Sequence, residues 1–253
     1  MKWVLKQRRF RLQVVLAFFA IIFANWVQAD STKILVESVL DDHMGKSVSV
    51  SGEIAVVGVP GAGKDAGAIF VFVRDEIGWV EQTRIIPEDR KPNDEFGSVV
   101  TLRGDTLVVG MPRYSEISKN HGTVFVYTRS ADQWVRQPNV NANDTEESDR
   151  FGNAVDFDGK NLIVGAYSAN APKGDSGAAY IFSRQGNSWV QQAKLVANDA
   201  DAFDWFGASV AISGDLAVVG AIREDGKGIN SDSGAVYVFR KIGGSWIQEA
   251  KVI

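Results

Sequence analysis

The chain has no cysteine. No disulfide can staple it, so the small cross-linked scaffolds of secreted proteins are excluded, and packing or a bound ion must hold the fold. Histidine is nearly as scarce. His43 and His121 are the two present, and neither lies at a motif spacing from a nucleophile or a second metal ligand. Excess positive charge is missing too: 27 Lys and Arg stand against 31 Asp and Glu, a formal charge of −4. Nucleic acid and anionic lipid are held by basic surface, so an acidic chain is a poor partner for either. After residue 29 no window has the period of an amphipathic helix.

The start of the chain is different in kind. Lys2, Lys6, Arg8, Arg9 and Arg11 precede an apolar run over residues 14–24, and Val27-Gln28-Ala29 supplies a small-residue exit. This reads as a secretory signal peptide over residues 1–29, and the run is short for a bilayer span. An uncleaved anchor is the weaker alternative, because Asn25 and Gln28 interrupt the run. Cleavage removes five cations and no acids, taking the formal charge from −4 to −9. The expectation is a mature chain of residues 30–253 that is secreted, periplasmic or at the cell surface, with no membrane insertion after cleavage and no nucleic-acid partner. At 253 residues, 45% hydrophobic and 23% charged, it has ample material for a core.

One stretch, IAVVGVPGAGKDAGAIFVFV over residues 54–73, resembles a nucleotide-binding loop. Gly58, four residues, then Gly63 and Lys64 fall one residue short of a P-loop, with Asp65 where a hydroxyl is wanted. Self-similarity accounts for it better. Trp79, Trp134, Trp189 and Trp246 are spaced 55, 55 and 57 residues apart and open the phrases WVEQ, WVRQ, WVQQ and WIQE. Phe96-Gly97, Phe151-Gly152 and Phe206-Gly207 recur every 55 residues, and Met44-Gly45 fills the same slot 52 residues earlier. One residue separates each pair from an aspartate: Asp42, Asp94, Asp149 and Asp204. Fourteen residues after each Phe or Met come Gly58, Gly110, Gly165 and Gly220. Four units follow, about 42–93, 94–148, 149–203 and 204–253. The loop at Lys64 is therefore one of four equivalents, its siblings have no Gly-Lys at that place, and a strand run rather than a helix follows it. It reads as a turn.

Each unit reads as four strands, in the second unit over 98–103, 106–110, 123–129 and 133–140. They are rich in Val, Ile, Phe, Tyr and Thr and punctuated by Gly, Asp and Asn. The second strand of each unit does not alternate, as in LVVG and LIVG, so both its faces are expected to be buried. Sheets apolar on both faces must lie between others. The predicted fold class is all-β: a β-propeller of four blades of about 55 residues, either a closed four-bladed ring or part of a larger propeller. A parallel β-helix is the runner-up, but its coils are shorter and would not carry three tight turns per period. Residues 30–36 read as the tail of an outer strand, since Lys33-Ile34-Leu35 matches Lys194-Leu195-Val196. A lone strand end is expected to pair with a sheet edge.

FGSVVTLRGDTLVVGMP, FGNAVDFDGKNLIVGAY and FGASVAISGDLAVVGAI resemble FG-GAP repeats, which build the β-propeller of integrin α subunits and occur in many bacterial secreted proteins. The resemblance implies an extracellular propeller for adhesion or ligand recognition rather than a defined reaction. It also implies, in some integrin repeats, a calcium loop of the form D-x-D-x-D-G-x-x-D between the FG and GAP strands. Here that span is only LRGDT, DGKN or SGDL, with too few oxygens for six to eight ligands. Calcium is not carried over, and no cofactor is expected.

Acid-rich loops occur elsewhere, at residues 143–149, 198–204 and 224–232, where Asp and Asn more often cap their own turns. The FG rings and the Trp series read as packing between blades, since a repeated position usually serves the repeated core. His43 aligns with Glu95, Arg150 and Trp205, and His121 with Ala66, Ser176 and Ser233, so neither position is shared among the units. Arg103-Gly104-Asp105 resembles an integrin-binding tripeptide, but SGE, DGK and SGD occupy the same turn in the other units. No residue is assigned a catalytic, cofactor-binding or metal-binding role. The expected function is a binding or scaffold module for an extracellular protein or glycan, without chemistry of its own. The alternative is an extracellular hydrolase with loop carboxylates on one rim.

Overall fold

The structure, a computed structural model, describes residues 42–115, 120–225 and 233–253, all within the unit formed by residues 36–253. The signal-peptide reading of residues 1–29 and the edge pairing expected of residues 30–36 lie outside the described residues, as does most of the 224–232 loop.

Four antiparallel sheets of four strands follow one another along the chain. The first contains β1 (Ser47–Ser51), β2 (Ile54–Val59), β3 (Ala68–Asp75) and β4 (Gly78–Ile85). The second contains β5 (Val99–Arg103), β6 (Thr106–Met111), β7 (Thr123–Ser130) and β8 (Gln133–Arg136). In the third are β9 (Ala154–Phe157), β10 (Asn161–Ala166), β11 (Ala178–Gln185) and β12 (Ser188–Leu195). The fourth has β13 (Phe206–Ser213), β14 (Leu216–Ala221), β15 (Ala235–Ile242) and β16 (Ser245–Val252). Every sheet keeps its strands in chain order, as tight turns between neighbours require. Arg103 pairs with Thr106 across Gly104-Asp105, and Ser213 with Leu216 across Gly214-Asp215. β8 is shorter than the expected strand over 133–140. Pro138 lacks the N–H a ladder needs, so the strand ends at Arg136 with one further bond from the Gln137 N–H to the Val126 carbonyl (2.8 Å), and pairing resumes as a bridge between Val124 and Val140.

The core lies between sheets, not within one. Val56 and Val71 of the first sheet pack with Phe96, Val109 and Phe125 of the second. Val108 and Val124 of the second meet Phe151, Val164 and Tyr180 of the third. Ile163 and Ile181 of the third meet Phe206, Val219 and Tyr237 of the fourth. Each fully buried Phe contributes roughly 1.5–3 kcal/mol relative to exposure, which makes these contacts the main source of stability. β6 and β10 are buried at every residue. β2 and β14 are not, and their half-buried positions alternate. Burial on both faces therefore holds for the two inner sheets and fails for the two outer ones, because only the inner sheets have neighbours on both sides.

The FG pair is the joint. Each FG ring stands edge-on to an aromatic of its own sheet, Phe96 to Phe125 at 5.3 Å, Phe151 to Tyr180 at 5.5 Å and Phe206 to Tyr237 at 5.4 Å. Its backbone N–H reaches back to the preceding sheet, Phe96 to the Ala66 carbonyl (3.1 Å), Phe151 to His121 (3.0 Å) and Phe206 to Ser176 (2.9 Å). The following glycine lies with φ between +86° and +92° at Gly97, Gly152 and Gly207. Its carbonyl rests against Gly58, Gly110 or Gly165 of the sheet before, so closely that a Cβ there would collide with it. First-strand side chains complete the joint. The Ser47 hydroxyl donates to the Gly97 carbonyl (2.9 Å), and Ser49 Oγ accepts from the Leu102 N–H (3.0 Å). Between the third and fourth sheets Asp156 and Asp158 accept from the Ile212 and Gly214 N–H groups, both at 2.8 Å.

Three of the four Trp rings pack at the same joints, whereas Trp79 lies against Val59, Ala68, Phe70 and Phe72 of its own sheet, so packing between blades does not hold for the first unit. Trp134 lies against the cluster between the first two sheets and Trp246 against that between the last two, while Trp189 meets Phe157 edge-on at 5.5 Å. The rings are half-buried, not enclosed, because the outermost strand of each sheet borders solvent. Parallel bridges join Gly67 to Phe96, Gly122 to Phe151 and Gly177 to Phe206. Among the described residues no hydrogen bond returns from the fourth sheet to the first, so the array is a stack of four sheets not closed by hydrogen bonds.

Candidate functional site

The loop that resembles a P-loop is a single helical turn, Ala62–Asp65, with Gly63 and Lys64 left-handed at φ +66° and +64°. β3 follows it directly. Its carbonyls are already engaged: Lys64 accepts from Asn93 N–H (3.1 Å) and Asp65 from Glu95 N–H (2.8 Å). Arg90 folds over the same turn, its Nη1 donating to the carbonyls of Ala62 and Gly67. Burial lowers the Arg90 pKa. The turn is the docking point for the next sheet.

The repeated aspartates also serve the scaffold. Asp94, Asp149 and Asp204 are buried, and each accepts from the backbone N–H three residues earlier, Lys91 (2.7 Å), Glu146 (2.7 Å) and Asp201 (2.6 Å). Burial raises all three carboxyl pKa values. A common cause at a common position marks them as loop-closing groups rather than one tuned acid. His121 is buried beside Tyr114, where its carbonyl receives the Phe151 N–H. The Arg103-Gly104-Asp105 turn is exposed, but Arg103 Nε donates to the Phe157 carbonyl (2.9 Å) and Gly104 N–H to Ser51 Oγ (2.9 Å).

A second repeated device is invisible to motif reading. Asp89 takes both guanidinium nitrogens of Arg136 at 2.9 Å, and that guanidinium lies 4.3 Å over Phe125. Lys194 bonds Asp144 at 2.6 Å above Tyr180, and Lys251 bonds Asp199 at 2.7 Å above Tyr237. Each clamp ties the segment entering a sheet to that sheet's own outer strand. Arg136 lowers the Asp89 pKa through its hydrogen bond. At Asp199 burial pulls upward, but the Lys251 and Tyr237 hydrogen bonds outweigh it, and burial pushes Tyr237 up to about 12. The signal was present: an aspartate seven residues before each FG aromatic, and a cation five residues after Trp79, Trp189 and Trp246. In the second unit the cation comes two residues after Trp134, on the shortened β8.

The aspartates of the acid-rich loops at 143–149 and 198–204 thus spend their carboxylates on lysines and backbone. Asp199 and Glu224 do converge, but on Lys251, at 2.7 and 2.6 Å. Among the described residues no three His, Asp or Glu side chains gather closely enough to hold a metal ion.

What remains is the rim at the FG turns. The residue before each FG slot, which is His43, Glu95, Arg150 or Trp205, lies left-handed with φ between +53° and +59°. One backbone geometry therefore presents four chemically different side chains at the same end of the stack. Arg150 lies 5.6 Å over Tyr167, Tyr167 is 5.1 Å from Trp205, and Arg223 lies 3.7 Å over Trp205. Phe203 and Ile222 stand exposed beside them. At the other end of the row, a cleft of about 360 Å³ is lined by His43, Lys46, Asp65, Glu95 and Ser98, among others.

Stacked four-stranded sheets joined through a glycine-bearing turn define an all-β propeller-type repeat protein. The chain belongs to the FG-GAP repeat family, whose pattern matches residues 79–127, 134–182 and 189–239. Each match runs from the Trp strand of one sheet through the third strand of the next, and so spans a joint. The crystal structure of Saccharomyces cerevisiae Sqt1 is similar in fold, with a TM-score of 0.53 and 11% identity over 86% of this chain and 50% of that one. The chain thus spans half the length of that protein, and the likeness is one of fold alone. No curated protein matches the chain in sequence.

Proposed function

We propose that the protein is a secreted or surface-exposed binding or scaffold module for a protein or glycan ligand, with no chemistry of its own, and that its recognition surface is the FG rim. One observation carries this reading. The residue types repeated in every unit are consumed by the joints and clamps, whereas the rim position that differs between units is presented by a shared left-handed turn. A scaffold that fixes backbone geometry while varying the side chain suits recognition. The Arg150–Tyr167–Trp205–Arg223 row, with apolar rings and guanidinium donors together, suits a sugar face or a peptide carrying acids. Among the described residues no helix is long and apolar enough to cross a membrane.

The test is an array of glycans and extracellular protein domains probed with the purified chain and with Trp205→Ala and Arg150→Ala. The expected result is a ligand that both variants lose while melting as the parent does. A ligand retained by both variants, or turnover of an arrayed glycan, would overturn the reading.

A further inference from the structure

Among the described residues, the fourth sheet carries the parts of a joint with no sheet seated in it. Ala66, His121 and Ser176, whose carbonyls receive an FG N–H, are buried; Ser233, at the same position, is exposed. A Cβ at Gly58, Gly110 or Gly165 would strike the FG glycine of the following sheet, but at Gly220 it would meet only Ser209 of its own sheet. Gly67, Gly122 and Gly177 lie against a following Phe backbone, while Gly234, with φ +75°, has only its own sheet within reach. Val236 is 41% exposed where Val124 is 0%. Ser209, Ala211 and Ser213 stand exposed on β13, in the places where Ser47, Ser49 and Ser51 of the first sheet bond the second.

On the first sheet the leading part of the matching half, β1 and the turn before it, is open. Gly45 has φ +88°, against +86° to +92° at the three FG glycines, and nothing lies within 4 Å of its added Cβ. On β1, Val48 is 67% and Val50 63% exposed, whereas Val100 and Leu102, which occupy these positions on β5, are 6% and 2% exposed. The entering element at each internal joint is the first strand of the next sheet: β5 meets β1 and β2, β9 meets β5 and β6, and β13 meets β9, β10 and β11. Phe70 and Phe72, farther out on the first sheet, are already buried, so β1 and its Met44-Gly45 turn are the parts left to dock.

We propose that the open face of the fourth sheet receives β1 and the Met44-Gly45 turn of a second copy of this chain, continuing the internal joint head to tail. In register with the joint between the first two sheets, Ser209 Oγ donates to the Gly45 carbonyl of the incoming copy and Ser213 Oγ accepts from its Gly52 N–H. Ala211 faces Val50, as Ser49 faces Leu102 within the chain. The contact is heterologous, using different surfaces on the two copies.

Ala211→Lys and Val50→Glu test the register, because both positions are exposed in a single copy and neither belongs to a core cluster. Sedimentation of the full chain should show self-association in the micromolar range. Each variant alone should weaken it roughly 100-fold or more, since an unpaired charge is caught in the contact, without altering the melting of the dilute chain. Mixing the two should restore association, because the introduced ammonium of one copy then meets the introduced carboxylate of the other across the joint. A chain that stays monomeric at high concentration, whether its ring closes on itself or its open face takes another partner, overturns the proposal. So does association that both single variants leave intact, or a mixture that fails to recover it.

Discussion

Gly110→Ala strikes the stack where it is tightest. Gly110 lies on β6 with the Gly152 carbonyl of the third sheet against its Cα, and an added Cβ would collide with that oxygen. Backbone is the obstacle, so no side-chain rotation relieves it. The third sheet must retreat, loosening the Phe151 N–H bond to His121 (3.0 Å) and the cluster around Phe151. Overpacking of this kind costs about 1–3 kcal/mol, and weakening one buried hydrogen bond about 0.5–1.5 kcal/mol. Alanine recovers roughly 0.4–1 kcal/mol by restricting the unfolded chain. Taking the middle of each range, the net expectation is a loss of about 2 kcal/mol. Gly220→Ala is the control, at the same position of β14. Its Cβ meets only the side chain of Ser209, which can turn away, so the change should stay within about 0.5 kcal/mol. Urea unfolding followed by tryptophan fluorescence, at a dilution where the chain is monomeric, measures both. Equal losses in the two variants would refute the claim that the neighbouring sheet, rather than the strand itself, demands glycine there.

Trp134→Ala should cost about 2–3 kcal/mol, below the usual range for a fully enclosed aromatic, because the ring is half-buried over the first joint. A denaturant melt showing less than about 1 kcal/mol would mean that the ring does not pack there. Asp89→Asn should lose under about 1 kcal/mol at pH 7, as its clamp with Arg136 is partly exposed. The folded pKa of Asp89 is depressed below 3.8, so its contribution is present above that value and fades as the pH falls through the folded pKa. The difference between parent and variant should therefore shrink in acid; a constant difference from pH 7 to pH 2.5 would contradict the clamp.

The joints were legible in the sequence because they repeat. Phe96, Phe151 and Phe206, and the glycines fourteen residues on, announced both a unit of about 55 residues and a large ring beside a close backbone approach. The non-alternating second strand announced sheets buried on both faces, and it misled only at β2 and β14, where a pattern within the unit cannot say whether a neighbour exists. The clamps went unread, because each half repeats at its own spacing and nothing local pairs the two halves. Asp89 and Arg136 are 47 residues apart, so no local spacing joins the two charges, although Phe125 beneath them lies on the strand that pairs with β8. The rim row was half visible. His43, Glu95, Arg150 and Trp205 aligned as an unshared position, but only the backbone places Tyr167 and Arg223 beside Arg150 and Trp205.

Amide hydrogen exchange tests the stacked joints most directly. In the monomeric chain the Phe96, Phe151 and Phe206 N–H groups, bonded to the sheet before, should exchange only with opening of the stack, close to the rate set by global unfolding. Met44, at the equivalent place on the first sheet but exposed, should exchange orders of magnitude faster. Uniform fast exchange at all four positions would contradict the account, because the FG pairs would then be loop residues rather than the joints that hold one sheet to the next.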